Sequence, residues 1–205
     1  LLEGFGSVAD KVWTYRQALV PDEIPEKLLV VGSGAIGVEF ASLFNEFGAD
    51  VTLIEAQTRI LPNEDDDVST AARSAFERQG IAVHSEVHLD VLQEHEGSLL
   101  AEWVSPDGRR QQSKFDRVLA AVGVMGNTDE LGLERVGVET TNGSVRIDER
   151  GQTNIAGIWA IGDVAGGPWL AHKASHEGVM VAESIAGVEQ HHSFDRTNIP
   201  GCTYS

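Results

Sequence analysis

"LLVVGSGAIGVEFASLFNEFGADVTLIEA", Leu28 to Ala56, sets three glycines between two apolar runs and ends beside an acid. Leu28 to Val31 is a continuous apolar run, the pattern of a central parallel strand covered on both faces. From Ala35 onward Ile36, Phe40, Leu43, Phe44 and Phe47 recur at helical spacing, and Gly48 is a natural stop. Val51 to Ile54 supplies a second strand. The spacing predicts strand, tight turn, helix, strand.

Gly32, Gly34 and Gly37 form GxGxxG, and Glu55 lies 23 residues beyond Gly32 at the end of the second strand. Between a strand and a helix, with an acid at that distance, the pattern is a dinucleotide-binding fingerprint. Gly32 permits the tight turn, Gly34 lets a pyrophosphate approach the backbone, and Gly37 lets helix and strand pack closely. The helix start offers unpaired amides and a positive dipole end to the phosphates. Glu55 can accept hydrogen bonds from both adenosine ribose hydroxyls and would repel a 2′-phosphate in a poorly screened site. The expected nucleotide is therefore NAD(H) rather than NADP(H). Arg59, the nearby base, is expected to pair on the surface. Glu39 sits in the second turn of an otherwise apolar helix; it lies either near the nicotinamide end of the cofactor or on a solvated face.

Downstream, Glu64, Asp65, Asp66 and Asp67 suit the first turn of a helix, "VSTAARSAFERQG", that Gly80 closes. "IAVHSEV" returns as a strand, and three further short segments up to "DRVLAAVG" read as antiparallel strands with a turn at Pro106, Asp107 and Gly108. The fold class expected is α/β, a Rossmann-like parallel sheet with an antiparallel meander inserted before its last strand. Past Gly143 a second module is expected, with "GIWAIGD" as a buried strand and "LAHKASHEGVMVAESIAG" as a helix ending at Gly187.

The chain has 205 residues, 41% of them hydrophobic, with 32 acids against 15 bases and a net charge of -17. That charge repels phosphate backbones and anionic membranes, so neither nucleic acid nor membrane is an expected partner. No apolar run reaches the ~18 residues of a membrane span, and the first residues lack a secretory signal's pattern. A soluble, cytoplasmic protein is expected. Cys202, the single cysteine, excludes an internal disulfide and reads as a small half-buried hydrophobe. His172 and His176 lie four apart on one helical face, but no third ligand accompanies them, so no metal site is expected. His84, His88, His95, His191 and His192 read as surface or strand residues. The start at Leu1 and the strand-like ending "NIPGCTYS" suggest an internal segment of a longer polypeptide.

"TNIAGIWAIGDVAGGPWLAHKASHEG", Thr153 to Gly178, holds a second constellation: an apolar run ending in Gly162 and Asp163, a glycine loop, then a helix. An acid at a strand end beside a helix start is placed to bind sugar hydroxyls and a polar ring edge. With "VVGSGAIGVEFAS", "ADVTLIEA", "RILPNEDDDVS", "NTDELGLERVGVE" and "IPGCTYS", this stretch resembles the pyridine nucleotide-disulfide oxidoreductases over nearly the whole chain, above all the branch that oxidises protein-bound dihydrolipoamide.

The resemblance implies that residues 1–25 are the tail of an FAD domain, 26–146 an NAD domain, 147–198 a returning FAD segment, and 199–205 the start of a dimer-interface domain. It implies that Gly32, Ser33, Gly34, Ala35, Ile36, Gly37, Val38, Glu39, Glu55, Val87 and Gly123 line the NAD site, with Val87 toward the adenine and Gly123 near the nicotinamide. Asp163 would bind the FAD ribityl chain. Trp169, Leu170, Ala171 and His172 would open a helix facing the flavin's pyrimidine edge, where a helix dipole stabilises negative charge. It also implies that a catalytic cysteine pair and a histidine-glutamate pair lie outside this chain, and that the partners are a lipoyl domain of a 2-oxo acid dehydrogenase or glycine cleavage complex and a second copy of the full-length protein. The alternatives are a related flavin-dependent reductase of mercuric ion, a mixed disulfide or a soluble quinone, and an NAD-binding module without turnover.

Overall fold

The computed structural model describes residues 2–188 and 198–204; His191 and His192 lie outside the described residues. Two compact units divide the chain, Leu1–Gly123 with Thr203–Ser205, and Val124–Cys202.

The first unit begins with a 3-10 segment (Leu2–Lys11), followed by β1 (Val12–Trp13) and a short helix α1 (Tyr15–Leu19), which Thr14 opens with a capping box to Gln17. Then follow β2 (Lys27–Val31), α2 (Ala35–Glu46), β3 (Asp50–Ile54), α3 (Asp66–Gln79) and β4 (Ala82–His84). Three antiparallel strands come next, β5 (Leu89–His95), β6 (Ser98–Val104) and β7 (Arg110–Phe115), before β8 (Arg117–Ala120) returns to the main sheet. That sheet is fully parallel in the order β1-β8-β2-β3-β4. The α/β reading with a meander ahead of the last strand matches this topology, but "DRVLAAVG", expected as an antiparallel strand, is the parallel β8, because it lies between β1 and β2 in the main sheet.

The sheet is apolar on both faces because both are covered. Leu28, Val30, Val51 and Leu53 pack with Val38, Ala41 and Phe44 of α2 and Phe76 of α3. Leu29, Ile54 and Val118, on the alternate positions, pack against Leu99, Ala101, Trp103 and Phe115 of the meander. Strand β6 thus alternates strictly, its buried residues facing the sheet. The acidic run behaves as expected: Asp65 is the N-cap of α3, Asp66 and Asp67 lie in its first turn, and Gly80 ends it with φ +95°.

The second unit contains α4 (Leu133–Val136), the two-stranded β9 (Thr140–Thr141) and β10 (Ser144–Val145), and α5 (Ala171–Ile185). The sequence expectation fails at "GIWAIGD". The segment forms only an isolated bridge, Gln152 to Trp159, and Ile161 is 38% exposed. An apolar run becomes a strand only where a neighbouring strand takes up its backbone groups, and among the described residues none does. Residues 198–204 likewise contain no strand, and Cys202 is exposed rather than half-buried. No described helix is long and apolar enough to cross a membrane.

Candidate dinucleotide site

The glycine turn joins β2 to α2 at the carboxyl end of the parallel sheet. Gly32 has φ +98°, and its amide donates to the Ile54 carbonyl at 2.9 Å. A Cβ there would stand 2.5 Å from the Ala121 carbonyl oxygen, so only glycine lets β8 approach the turn. At Gly37 a Cβ would fall inside 3.0 Å of the Gly32 carbonyl, which makes this glycine a packing requirement. Gly34 is different: a Cβ there meets nothing within 4 Å, so nothing inside the chain demands glycine. Open space in front of a fingerprint glycine is what lets a pyrophosphate approach a backbone. Gly34 is also the N-cap of α2 and makes no side-chain cap bond, which leaves the first-turn amides of Ala35, Ile36 and Gly37 without intrahelical partners. Val38, next in the turn, is fully buried in the core.

Glu55 follows β3 and is 7% exposed. One carboxylate oxygen, Oε2, accepts from the Ser33 amide at 2.8 Å and the Ser33 hydroxyl at 2.6 Å, while Oε1 accepts from the Gln57 amide at 2.8 Å. Burial alone would raise its pKa. The hydrogen bonds from the Ser33 hydroxyl and from the Gln57, Ser33 and Ala56 amides outweigh it and hold the group below its ordinary value, ionised at neutral pH. A buried anion beside an uncapped helix start and an open glycine turn has the chemistry to take a ribose diol next to a pyrophosphate.

Of the other predicted residues, Val87 is tied to Glu55 by a hydrogen bond. Val87 lies three residues beyond β4 and is 3% exposed; its amide donates to the Glu55 carbonyl at 2.9 Å, so its backbone adjoins Glu55 while its side chain belongs to the core. Gly123 is exposed with φ +112°, and a Cβ there would meet nothing within 4 Å. Glu39 is half-buried, and its Oε1 accepts from the Tyr204 amide at 2.8 Å. Arg59 pairs with Asp66 at 2.6 Å and donates to the Pro62 and Glu64 carbonyls, as its surface reading expects.

In the second unit a short 3-10 turn, Gly162–Ala165, carries Asp163, whose side chain is exposed. The Trp169 indole donates to the Asp163 carbonyl at 3.1 Å. Leu170 is the N-cap of α5, again without a side-chain cap, so the amides of Ala171 and His172 open the helix. His172 donates through Nε2 to the Pro200 carbonyl at 2.9 Å.

Sequence reasoning missed what holds this loop. Lys173 and Glu177, at i and i+4 of α5, have side chains 0% and 1% exposed, with Nζ 3.3 Å from Oε2. Lys173 donates to the carbonyls of Gly162 at 3.0 Å and Gly166 at 2.6 Å, and Glu177 accepts from the Gly162 amide at 2.7 Å. A buried ion pair therefore clamps both ends of the turn that presents Asp163. The available signal was the order lysine-then-glutamate, the less favourable one for a surface pair along a helix dipole.

Residues 2–178 match the pyridine nucleotide-disulphide oxidoreductase family. Among curated proteins, the dihydrolipoyl dehydrogenase of Rhizobium etli is 48% identical over 193 residues, covering 94% of this chain and 40% of the relative. That of Zymomonas mobilis is 45% identical, covering 95% of this chain and 42% of the relative. The chain thus spans less than half the length of these relatives. Among solved structures, a cysteine-to-serine variant of the HOCl-induced flavoprotein disulfide reductase of Escherichia coli, as its Cu(II) complex, superposes with a TM-score of 0.86 at 30% identity, covering 95% of this chain and 43% of that one. On the strength of the family match and these likenesses, the chain belongs to the pyridine nucleotide-disulphide oxidoreductase family.

Proposed function

We propose that this chain supplies the NAD-binding part, and one segment of the FAD-binding part, of a cytoplasmic dihydrolipoyl dehydrogenase. The observation that carries the reading is the ionised, clamped Glu55 beside the open turn at Gly34; the identity to dihydrolipoyl dehydrogenases over almost the whole chain supports the choice of substrate. In the longer protein, residues 26–146 form the NAD domain, 1–25 and 147–198 belong to the FAD domain, and 199–205 begin the dimer interface. The electron donor is a dihydrolipoyl group on a lipoyl domain, and the protein is a homodimer.

When bound, NAD exchanges two electrons as a hydride and FAD exchanges two electrons with a dithiol. The chain's own residues bind and orient. Gly34 and the first amides of α2 hold the pyrophosphate, with Ser33 lining the turn behind them, Glu55 takes the ribose hydroxyls, and the backbone at Val87 and Gly123 lines the two ends of the nucleotide. Asp163 holds the ribityl chain, while the uncapped start of α5, Trp169 to His172, offers its amides and dipole to the flavin's polar edge.

The test is to assay the longer protein for NAD+-dependent oxidation of dihydrolipoamide against NAD(P)H-dependent reduction of mercuric ion, glutathione disulfide and a soluble quinone. Dihydrolipoamide should give the highest kcat/KM with NAD+; a preference for any of the others overturns the substrate assignment.

A further inference from the structure

We propose that Ser33 is a positioning residue that clamps the Glu55 carboxylate in the orientation that accepts the ribose hydroxyls and rejects a 2′-phosphate. The inference rests on the nucleotide reading above and deepens it: Ser33 acts on the nucleotide through Glu55.

A serine in the second position of GxGxxG is not required by the turn. Yet Ser33 is fully buried, and every one of its polar groups is engaged. Its carbonyl accepts from the Leu61 amide at 2.9 Å, which ties the loop after β3 to the glycine turn. Its amide and hydroxyl converge on the same oxygen of Glu55. The backbone amide would be there with any residue; the hydroxyl is the part of the clamp that the side chain supplies. Two donors on Oε2 and the Gln57 amide on Oε1 fix the terminal torsion of a glutamate, which is otherwise broad. A fixed carboxylate meets a ribose diol without first losing freedom, and cannot swing aside to admit a phosphate.

No charged side chain substitutes for the hydroxyl. Among the described hydrogen bonds and ion pairs none joins Glu55 to a charged side chain; the titratable groups of the flanking elements include Glu39 on α2, Arg73 on α3, His84 on β4, Glu86 in the following loop and Arg59 in the loop after β3. Glu39 holds the Tyr204 amide, Arg73 binds Glu77, Ser85 and the Val83 carbonyl, and Arg59 binds Asp66. The His84 ring lies against Trp103, and Glu86 is exposed. Glu55 is held by neutral donors, and Ser33 contributes two of them.

The experiment uses the 205-residue chain with Ser33→Ala and, as a second variant lacking the hydroxyl, Ser33→Gly. The carboxyl carbon of Glu55 is titrated by NMR without nucleotide, and NADH and NADPH affinities are measured at pH 7 and at falling pH. Both variants should titrate at higher pH than the wild type, bind NADH roughly three- to tenfold more weakly, and discriminate less between NADH and NADPH. The acid limb of NADH binding should move upward with the titration, which a merely structural serine would not cause. A Glu55 titration and an NADH/NADPH ratio unchanged in both variants overturn the role of Ser33. A wild-type chain that binds no NADH overturns the nucleotide reading instead, while the titration still reports on the clamp.

Discussion

Replacing Lys173 with methionine keeps an unbranched apolar stem, one atom shorter, and removes the charge. In the second unit that charge is fully buried, 3.3 Å from the Glu177 carboxylate and bonded to the carbonyls of Gly162 and Gly166. The substitution leaves a buried carboxylate without its cation and two loop carbonyls without their shared donor, a loss of ~3–5 kcal/mol. At the lower bound, with ~1.4 kcal/mol for each factor of ten, the loop opens on the order of a hundredfold more often. Amide hydrogen exchange reads this directly, because the Gly162 amide is held by Glu177 and the Gly166 amide by the Asp163 carbonyl. Both should lose protection by about that factor in Lys173→Met, and urea unfolding of the unit should shift in parallel. The double variant Lys173→Met, Glu177→Leu should recover a good part of the loss, since a buried ion pair replaced whole by apolar side chains is far less damaging than one broken in half. A Lys173→Met chain whose Gly162 amide exchanges within about threefold of the wild type would refute the clamp.

The second and third glycines of the fingerprint should separate folding from binding. Gly37→Ala drives a Cβ into the Gly32 carbonyl and should destabilise the first unit by several kcal/mol in urea melts, whereas Gly34→Ala should fold normally and lose NADH binding by calorimetry; equal stability of the two would contradict the packing argument. Glu55→Gln should abolish the acid limb of NADH binding. Because the folded pKa of Glu55 is lowered, its anionic contribution is complete above its ordinary 4.5 and is lost as pH falls through the folded value, so a wild-type limb centred above 4.5 would contradict the hydrogen-bond assignment. For His84, burial and then the Arg73 cation hold the imidazole below its ordinary 6.5. The neutral ring favours the folded state, so the stability it contributes is complete above 6.5 and declines as pH falls from there through the folded value; an NMR titration of His84 with a midpoint above 6.5 would be the opposite of what the packing requires.

The glycine turn and Glu55 were legible because their geometry is local: a turn, a helix start and a strand end impose residue types at fixed spacing. The meander was legible for a similar reason, since β6 alternates with period two and Pro106 to Gly108 mark its turn. What the sequence hid is tertiary. Lys173 and Glu177 have the spacing of any exposed helical pair, and only the surrounding fold buries them. Ser33 occupies a position the motif leaves blank, so nothing in the pattern announces a hydroxyl aimed at Glu55. The run at "GIWAIGD" has a strand's composition but, among the described residues, no strand to pair with. The expectation for Cys202 followed the burial habit of its residue type, but its position in an irregular segment leaves it exposed.

We propose that the buried carboxylate beside the glycine turn makes this chain a cradle for NAD(H). Calorimetric titration of the 205-residue chain with NADH and NADPH at pH 7 and low salt tests it most directly. NADH should bind saturably, with NADPH at least about tenfold weaker because its 2′-phosphate would meet a fixed anion. Binding of NADPH as tight as NADH, or no binding of either, would contradict it.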